Sequence, residues 1–413
     1  MPQFRLYAHG QPQTALPFTE FVALMASMTA LVALSIDAML PALAEIANDL
    51  GAQRANDSQL VISLIFLGLA IGQIFYGPLS DSIGRKPAIY LGFALFSVGC
   101  LLGLFAVDFR MMLIGRFLQG FGVAGPRGVS IALVRDQYEG RAMARVMSFV
   151  MTVFILVPIV APMLGQALVL VVHWRAIFAL YLLLVLIIGG WFLLRQPETL
   201  VEARRTPFHL GRILAAFREV FVNRIALGYT IMAGLVSGGF VGYLNSAQQI
   251  FQEEYGLGAR FPFYFAALAL ALGTASFLNA RLVMRFGMRT LSRWALFLLS
   301  ALSLLFLFVA LARGGNPTLW LLMSYFMVAF FAVGILFGNL NARAMVPLGH
   351  IAGVGAAVVG ALSTLISALL GALIGQSYNG TVLPLVGGFA LFGLLALGVM
   401  WWAERGQLAV EEA

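Results

Sequence analysis

From residue 18 to residue 403 the sequence is a succession of apolar runs about 20 residues long, among them FVALMASMTALVALSI and ALFLLSALSLLFLFVALA. A run of that length crosses about 30 Å of hydrocarbon as a helix. A membrane β-barrel would instead need segments of about 10 residues alternating apolar with polar, and these runs are apolar on every face. The composition agrees: 61% of residues are hydrophobic and 10% charged, against roughly 45–50% and 25% in soluble domains. The chain therefore reads as an all-α membrane protein with twelve spans, near 18–41, 58–79, 87–107, 111–134, 145–170, 174–195, 224–250, 261–283, 290–312, 318–341, 350–374 and 381–403.

The net charge of +8 is a topology signal rather than a nucleic-acid signature. Of the 25 basic residues, eighteen fall in the segments on the side of the two termini, five fall on the opposite side, and Arg116 and Arg127 lie within spans. By the positive-inside rule both termini are cytoplasmic. The first apolar run has no small-residue cleavage site after it and reads as a retained helix. Cys100, the single cysteine, excludes an internal disulfide and a cysteine-based metal site. His9, His173, His209 and His350 fall in separate tail, loop and linker segments, and no carboxylate pair lies within a span. An embedded transferase or hydrolase is therefore disfavoured, and a metal site is not expected. No G-x-x-x-x-G-K-[ST] phosphate loop occurs, which argues against an ATP-driven pump.

The longest polar stretch, 196–223, divides the chain into six-span halves, 1–195 and 224–413. Within it Leu210, Ile213, Leu214, Phe217 and Phe221 recur at helical spacing, as in an amphipathic helix on the cytoplasmic surface. YGPLSDSIGRKP after span 2 has a degraded counterpart, NARLVMRFGMRT, after span 8, with Gly84 aligned to Gly287. Duplicated halves with a binding site between them at mid-membrane are a transporter architecture.

Ionisable groups within spans are functional candidates by default. Asp37 is the one carboxylate well inside a span, with Glu20 and Glu404 at span ends, so Asp37 is the expected proton carrier. Arg116 on span 4 matches it in depth and is its expected ion-pair partner. Arg127 lies eleven residues further on and returns to nearly the same helical face. With Gln119 it is expected to line a wet cavity, to which Tyr243, Asn245, Gln248 and Asn339 are further candidates. Gln73 and Tyr264 are weaker ones.

GPLSDSIGRKP reads as a gating loop. Gly77 and Gly84 permit tight turning, Asp81 is suited to accept from amides at a helix N-terminus, and Arg85 and Lys86 are suited to anionic lipid. In span 5, Pro158, Pro162 and Gly165 are expected to kink the helix and pack it closely against the second half.

With these residues in view, the chain resembles the major facilitator superfamily, in its twelve-span drug:proton antiporter type and Bcr/CflA-like drug-resistance branch. GPLSDSIGRKP resembles the family's loop 2–3 motif. IGRFLQGFGVA resembles its span 4 R-x-x-Q-G motif, whose arginine is linked with proton translocation. APMLG resembles the exporters' span 5 motif, SIDAMLPAL the acidic segment of span 1, and VRDQYEGRAMARVMSFVM the branch's loop 4–5. Gln166 stands where many exporters carry a second glycine, and Arg127 where many carry a small residue. The resemblance implies two pseudo-symmetric six-helix bundles rocking in alternating access. It also implies export of small organic molecules by proton antiport across a bacterial inner membrane, with the proton as coupling ion, no other cofactor and a monomer in lipid. A proton-coupled or facilitative importer of a small polar metabolite is the alternative on the same fold.

Overall fold

The computed structural model describes residues 16–405, and all regular structure among them is helical. Counted in chain order, the helices of the first half are α1 (Phe18–Asp37), α2 (Leu43–Asp49), α3 (Leu60–Ile83), α4 (Arg85–Leu104), α5 (Phe109–Gln137), α6 (Gly140–Val171) and α7 (Arg175–Arg195). A short helix, α8 (Leu210–Val222), follows in the polar divider. The second half holds α9 (Arg224–Gln248), α10 (Phe261–Phe286), α11 (Met288–Ala312), α12 (Leu319–Met345), α13 (Ala352–Gln376) and α14 (Leu383–Glu404). Among the described residues, eleven apolar helical runs are long enough to cross a membrane. One, Leu319–Gln376, contains both α12 and α13 joined by the turn Val346–Ile351, so the chain makes twelve crossings.

The first crossing is α1 continued by α2, with a break between them. Pro41 has no N–H to offer the carbonyl of Asp37 four residues earlier, and α1 ends at Asp37 in a short 3₁₀ turn, Leu40–Ala42. The expected loop between spans 2 and 3 is almost entirely helical. Helix α3 runs through Gly77 and Pro78 to Ile83, and α4 begins at Arg85. The whole turn is Gly84, at a φ of 108° that a side chain would strain. Gly287, at φ 75°, makes the equivalent turn between α10 and α11.

Helix α5 organises the first half, packing on α3, α4 and α1, while α9 packs on α13, α14 and α12 in the second. Close backbone approach does much of this, as expected where lipid supplies no hydrophobic drive for helix pairing. A Cβ on Gly120 of α5 would fall 1.9 Å from the carbonyl oxygen of Ile65 on α3. Helix α6 is continuous through Pro158 and Pro162. Its Gly165 does not meet the second half: a Cβ there would lie 1.9 Å from the Ala38 carbonyl oxygen, at the break after α1. Contact with the second half falls ten residues earlier, where Ile155 fills the space beside Gly273 of α10.

The halves meet along two seams, α3 against α13 and α6 against α10. At the end remote from the described termini the α3 seam is fastened by polar bonds. Gln59 donates to Gln249, Asn245 Nδ2 to Ser63 Oγ at 3.1 Å, Gln376 Nε2 to the Asn56 carbonyl at 2.8 Å, and Asn56 Nδ2 to the Tyr378 carbonyl at 2.8 Å. Every residue from Val241 to Phe251 is buried there. Midway, Gln73 Nε2 donates to Thr364 Oγ1 at 3.3 Å. Towards the basic end contact between the halves narrows to α3 and α5 against α13, where the Gly77 Cβ position lies 3.7 Å from Ala357 and the Gly353 Cβ position 3.7 Å from Arg135. The positions a Cβ would take on Gly128 of α5 and Gly338 of α12 have no atom within 4 Å. The far end is sealed by polar bonds between the halves, and the basic end is held across the halves by contacts with α13 and has free space beside Gly128 and Gly338.

Replacing Gly120 with Leu is expected to cost at least about 3 kcal/mol, because backbone rather than a flexible side chain blocks the new atoms. Gly128→Ala, facing open space, is expected to be neutral or slightly stabilising. Melting temperatures of the two purified variants check the contrast, and similar values would contradict the packing described.

Candidate functional site

Accessibility along α1 follows one stripe. Past the first turn, the residues not fully buried are Ala23, Ser27, Ala30 and Leu34, which share a helical face. Exposure declines from Ala23 inward, and the same face ends at Asp37, 5% exposed. The Asp37 carboxylate makes no hydrogen bond or ion pair among the described residues. It lies within electrostatic range of the hydroxyls of Tyr181 on α7 and Tyr243 on α9.

The expected Asp37–Arg116 ion pair is absent. Arg116 is fully buried, and its guanidinium donates through Nε to the Val61 carbonyl at 3.0 Å, Nη1 to Gln119 Oε1 at 2.7 Å and Nη2 to the Ser35 carbonyl at 2.8 Å. The helix break explains the choice. At the end of α1 the Met39 N–H turns to Ile36 and leaves the Ser35 carbonyl without its intrahelical donor; Arg116 takes Ser35, and the Tyr181 hydroxyl adds a second bond at 3.1 Å to the Leu34 carbonyl, which the Ala38 N–H already meets. Gln119 is likewise not in the cavity. It is buried, accepts from Arg116 and donates to Cys100 Sγ at 3.1 Å.

Arg127 is half-buried and has no hydrogen-bond or ion-pair partner among the described residues. It precedes Gly128, whose Cβ position has no neighbour within 4 Å. Of the remaining cavity candidates, three are engaged in structural bonds. Asn245 holds Ser63, Gln248 Nε2 donates to Glu253 at 3.0 Å, and Asn339 exchanges two hydrogen bonds with Asn279 at 2.8 and 3.0 Å. Tyr243 is buried in an aromatic cluster with Phe265 and Phe330, and its hydroxyl has no partner. Tyr264 borders an outward apolar groove with Trp320 and Met323.

The loop motif is a buried charge network. Arg85, 3% exposed, pairs with Asp81 and donates to Asp136 Oδ2 at 2.9 Å and Ser80 Oγ at 2.9 Å. Lys86 Nζ donates to the Leu193 carbonyl at 3.3 Å, at the end of α7. These contacts replace the expected lipid anchoring. Asp81 does not cap a helix either; Glu198, which sequence reasoning missed, does. Its carboxylate accepts from the backbone N–H groups of Arg85 and Lys86 at 3.0 and 2.9 Å, the first turn of α4, where a negative charge is favoured. A Cβ on Gly84 would come within 2.7 Å of Glu198 Oε2. Gly77 serves the α3 seam, its Cβ position 3.7 Å from Ala357 on α13. The acid at the start of a polar stretch beside a basic helix start was the available signal for Glu198.

The second half closes its basic end with Glu404, which accepts from Tyr229 at 2.6 Å and pairs with Arg293 at 2.9 Å and Arg289 at 3.1 Å. Glu20 pairs with Arg195 and Trp191 in the first. At the far end Glu45, Asp49 and His173 each bring a ligand-type atom within 4.8 Å of the others. Asp49 is already engaged there by Trp174 Nε1 at 2.8 Å, a tie between α2 and the start of α7.

The family profile described as Major Facilitator Superfamily matches residues 25–372. The chain belongs to the major facilitator superfamily. It is a multi-pass membrane transporter and not an enzyme. The chain is 30% identical to a bicyclomycin resistance protein homolog of Haemophilus influenzae, over 89% of this chain and 91% of that one. It is 28% identical to the multidrug resistance protein MdtL of Klebsiella pneumoniae, over 92% and 96%. The solved D-xylose-proton symporter shares the fold with a TM-score of 0.71 at 15% identity, over 93% of this chain and 98% of that one.

In this transporter Arg116 and Asp37 are expected to act independently on stability. Arg116→Gln is expected to cost about 3 kcal/mol or more, stranding buried acceptors. A double-mutant cycle with Asp37→Asn is expected to show coupling below about 0.5 kcal/mol. Reversible unfolding in detergent measures both, and a coupling above about 1.5 kcal/mol would restore the ion pair.

Proposed function

We propose that the protein is a proton-driven exporter of small organic molecules in a bacterial inner membrane, with both termini and the basic end in the cytoplasm. The printed names of the two relatives support resistance through drug efflux, and the distribution of basic residues supports the orientation. The observation that carries the proton step is Asp37, a buried carboxyl with no partner at the inner tip of the accessible stripe on α1.

In this reading, Asp37 gives its proton to the cytoplasm while substrate enters the gap. The halves then rock to close the basic end and open the far end, where substrate leaves and Asp37 takes a new proton. The far-end bonds between Gln59 and Gln249 and between Asn245 and Ser63 would break in that step, while the Arg116 set, lying wholly within one half, would persist. The Asp81–Arg85–Asp136–Glu198 network ties the α3–α4 turn to the linker and moves as a unit with the first half. The working unit is a monomer in lipid.

Asp37→Asn is expected to reduce proton-coupled export to background without altering insertion or melting temperature, since the amide keeps the shape and loses the titration. Inside-out vesicles carrying an internal pH dye, challenged with bicyclomycin-like and phenicol compounds, measure this. Coupled export that survives in the variant with unchanged pH dependence would remove Asp37 from the proton path.

A further inference from the structure

Resting on that transport reading, we infer that the cavity selects molecules presenting an anionic or strongly accepting oxygen and rejects permanent cations, and that Arg127 is the group that engages them. Two arginines sit within α5, and the fold treats them differently. Arg116 has oxygens from Ser35, Val61 and Gln119 at 2.7–3.0 Å. Arg127, about 16 Å nearer the basic end on almost the same face, has none among the described residues and is partly open. An intramembrane guanidinium is tolerated where it faces water or finds a partner. Ser130, one turn further along the same face of α5, lies 4.0 Å from Met28 Sδ on α1, so Arg127 stands towards the helix that carries the accessible stripe, with no partner of its own. Its N–H donors are therefore available to whatever enters.

The surroundings do not cancel the charge. The accessible stripe of α1 offers Ala23, Ser27, Ala30 and Leu34, none ionisable. Arg135, two turns closer to the mouth on the same helix, also has no hydrogen-bond or ion-pair partner among the described residues. Its guanidinium reaches to 3.7 Å from the Cβ position of Gly353 at the start of α13. An entering molecule thus passes one unpaired cation and meets a second. Carboxylate, nitro or sulfonyl oxygens gain charge-assisted bonds to a planar fork, and a quaternary ammonium meets like charge in a poorly screening medium.

The test uses the purified full-length protein in lipid nanodiscs and two fluorescent probes of similar size, fluorescein as the anion and ethidium as the permanent cation, followed by anisotropy. The wild type is expected to bind fluorescein at least ten-fold more tightly than ethidium. Arg127→Ser is expected to lose at least ten-fold in fluorescein affinity and to narrow the gap to ethidium. Arg127→Lys, which keeps the charge and loses the fork, is expected to fall between, and decides the matter if the serine variant proves unstable in a melting control. Ethidium binding as tight as fluorescein, no fluorescein binding, or fluorescein affinity unchanged in the variants would overturn the inference. Counter-movement of protons during uptake of the same probes into inside-out vesicles is read separately. If it is missing while Arg127-dependent binding stands, the exporter reading fails and the selectivity inference survives.

Discussion

A charge or a polar backbone group taken into hydrocarbon must be met by something within reach, and this bundle can be understood from where that demand is satisfied and where it is left open. Breaking α1 at Pro41 frees carbonyls at the end of the helix. Arg116 is the answer to them, and Gln119 and Val61 complete its set. The result is a rigid, fully buried joint among α1, α3 and α5, made possible by glycines that let the helices approach to backbone contact. Arg116 belongs to the scaffold of the first half. Asp37, one turn from the same joint, is left without a partner and faces the seam between the halves. The molecule therefore separates a fully bonded polar joint from an acidic group without a partner, and the proposed proton step rests on the latter.

The same logic organises the ends. The far end is sealed by neutral side-chain amides and hydroxyls between the halves, bonds that are easily exchanged for water. The basic end of each half is held by charged clusters confined to that half: Arg85 with Asp81 and Asp136, Glu20 with Arg195, and Glu404 with Arg289 and Arg293. Strong bonds within halves and weaker ones between them suit two bodies that move against each other.

Much of this was legible in the sequence. Span number and the turns at Gly84 and Gly287 follow from hydropathy and spacing, and the burial of Asp37 and Arg116 follows from their place within spans. Helix ends around Gly77 and Pro78 were not, because a glycine and a proline together read as a loop, whereas α3 carries both and only Gly84 leaves the helix. The Asp37–Arg116 pairing failed for a different reason. Matching depth does not determine azimuth, and a sequence does not display backbone carbonyls as ligands, although Pro41 was the clue that some would be free. Asn245, Gln248 and Asn339 were polar enough to suggest a cavity, and each instead found a neighbour on another helix or turn.

The central claim is that the charge on Asp37 sets which end of the bundle is open. Closed at the far end, the protein holds this carboxyl with no ion-pair partner among the described residues; in the account, its ionisation favours the alternative. Spin labels at Gln53 and Arg313, exposed at the far end on opposite halves, report the opening directly through electron–electron distance measurements across pH. The account predicts a short distance at low pH, a growing long-distance population as pH rises, and a distribution in Asp37→Asn that stays short throughout. An Asp37→Asn protein that opens with the same pH dependence as the wild type would contradict it.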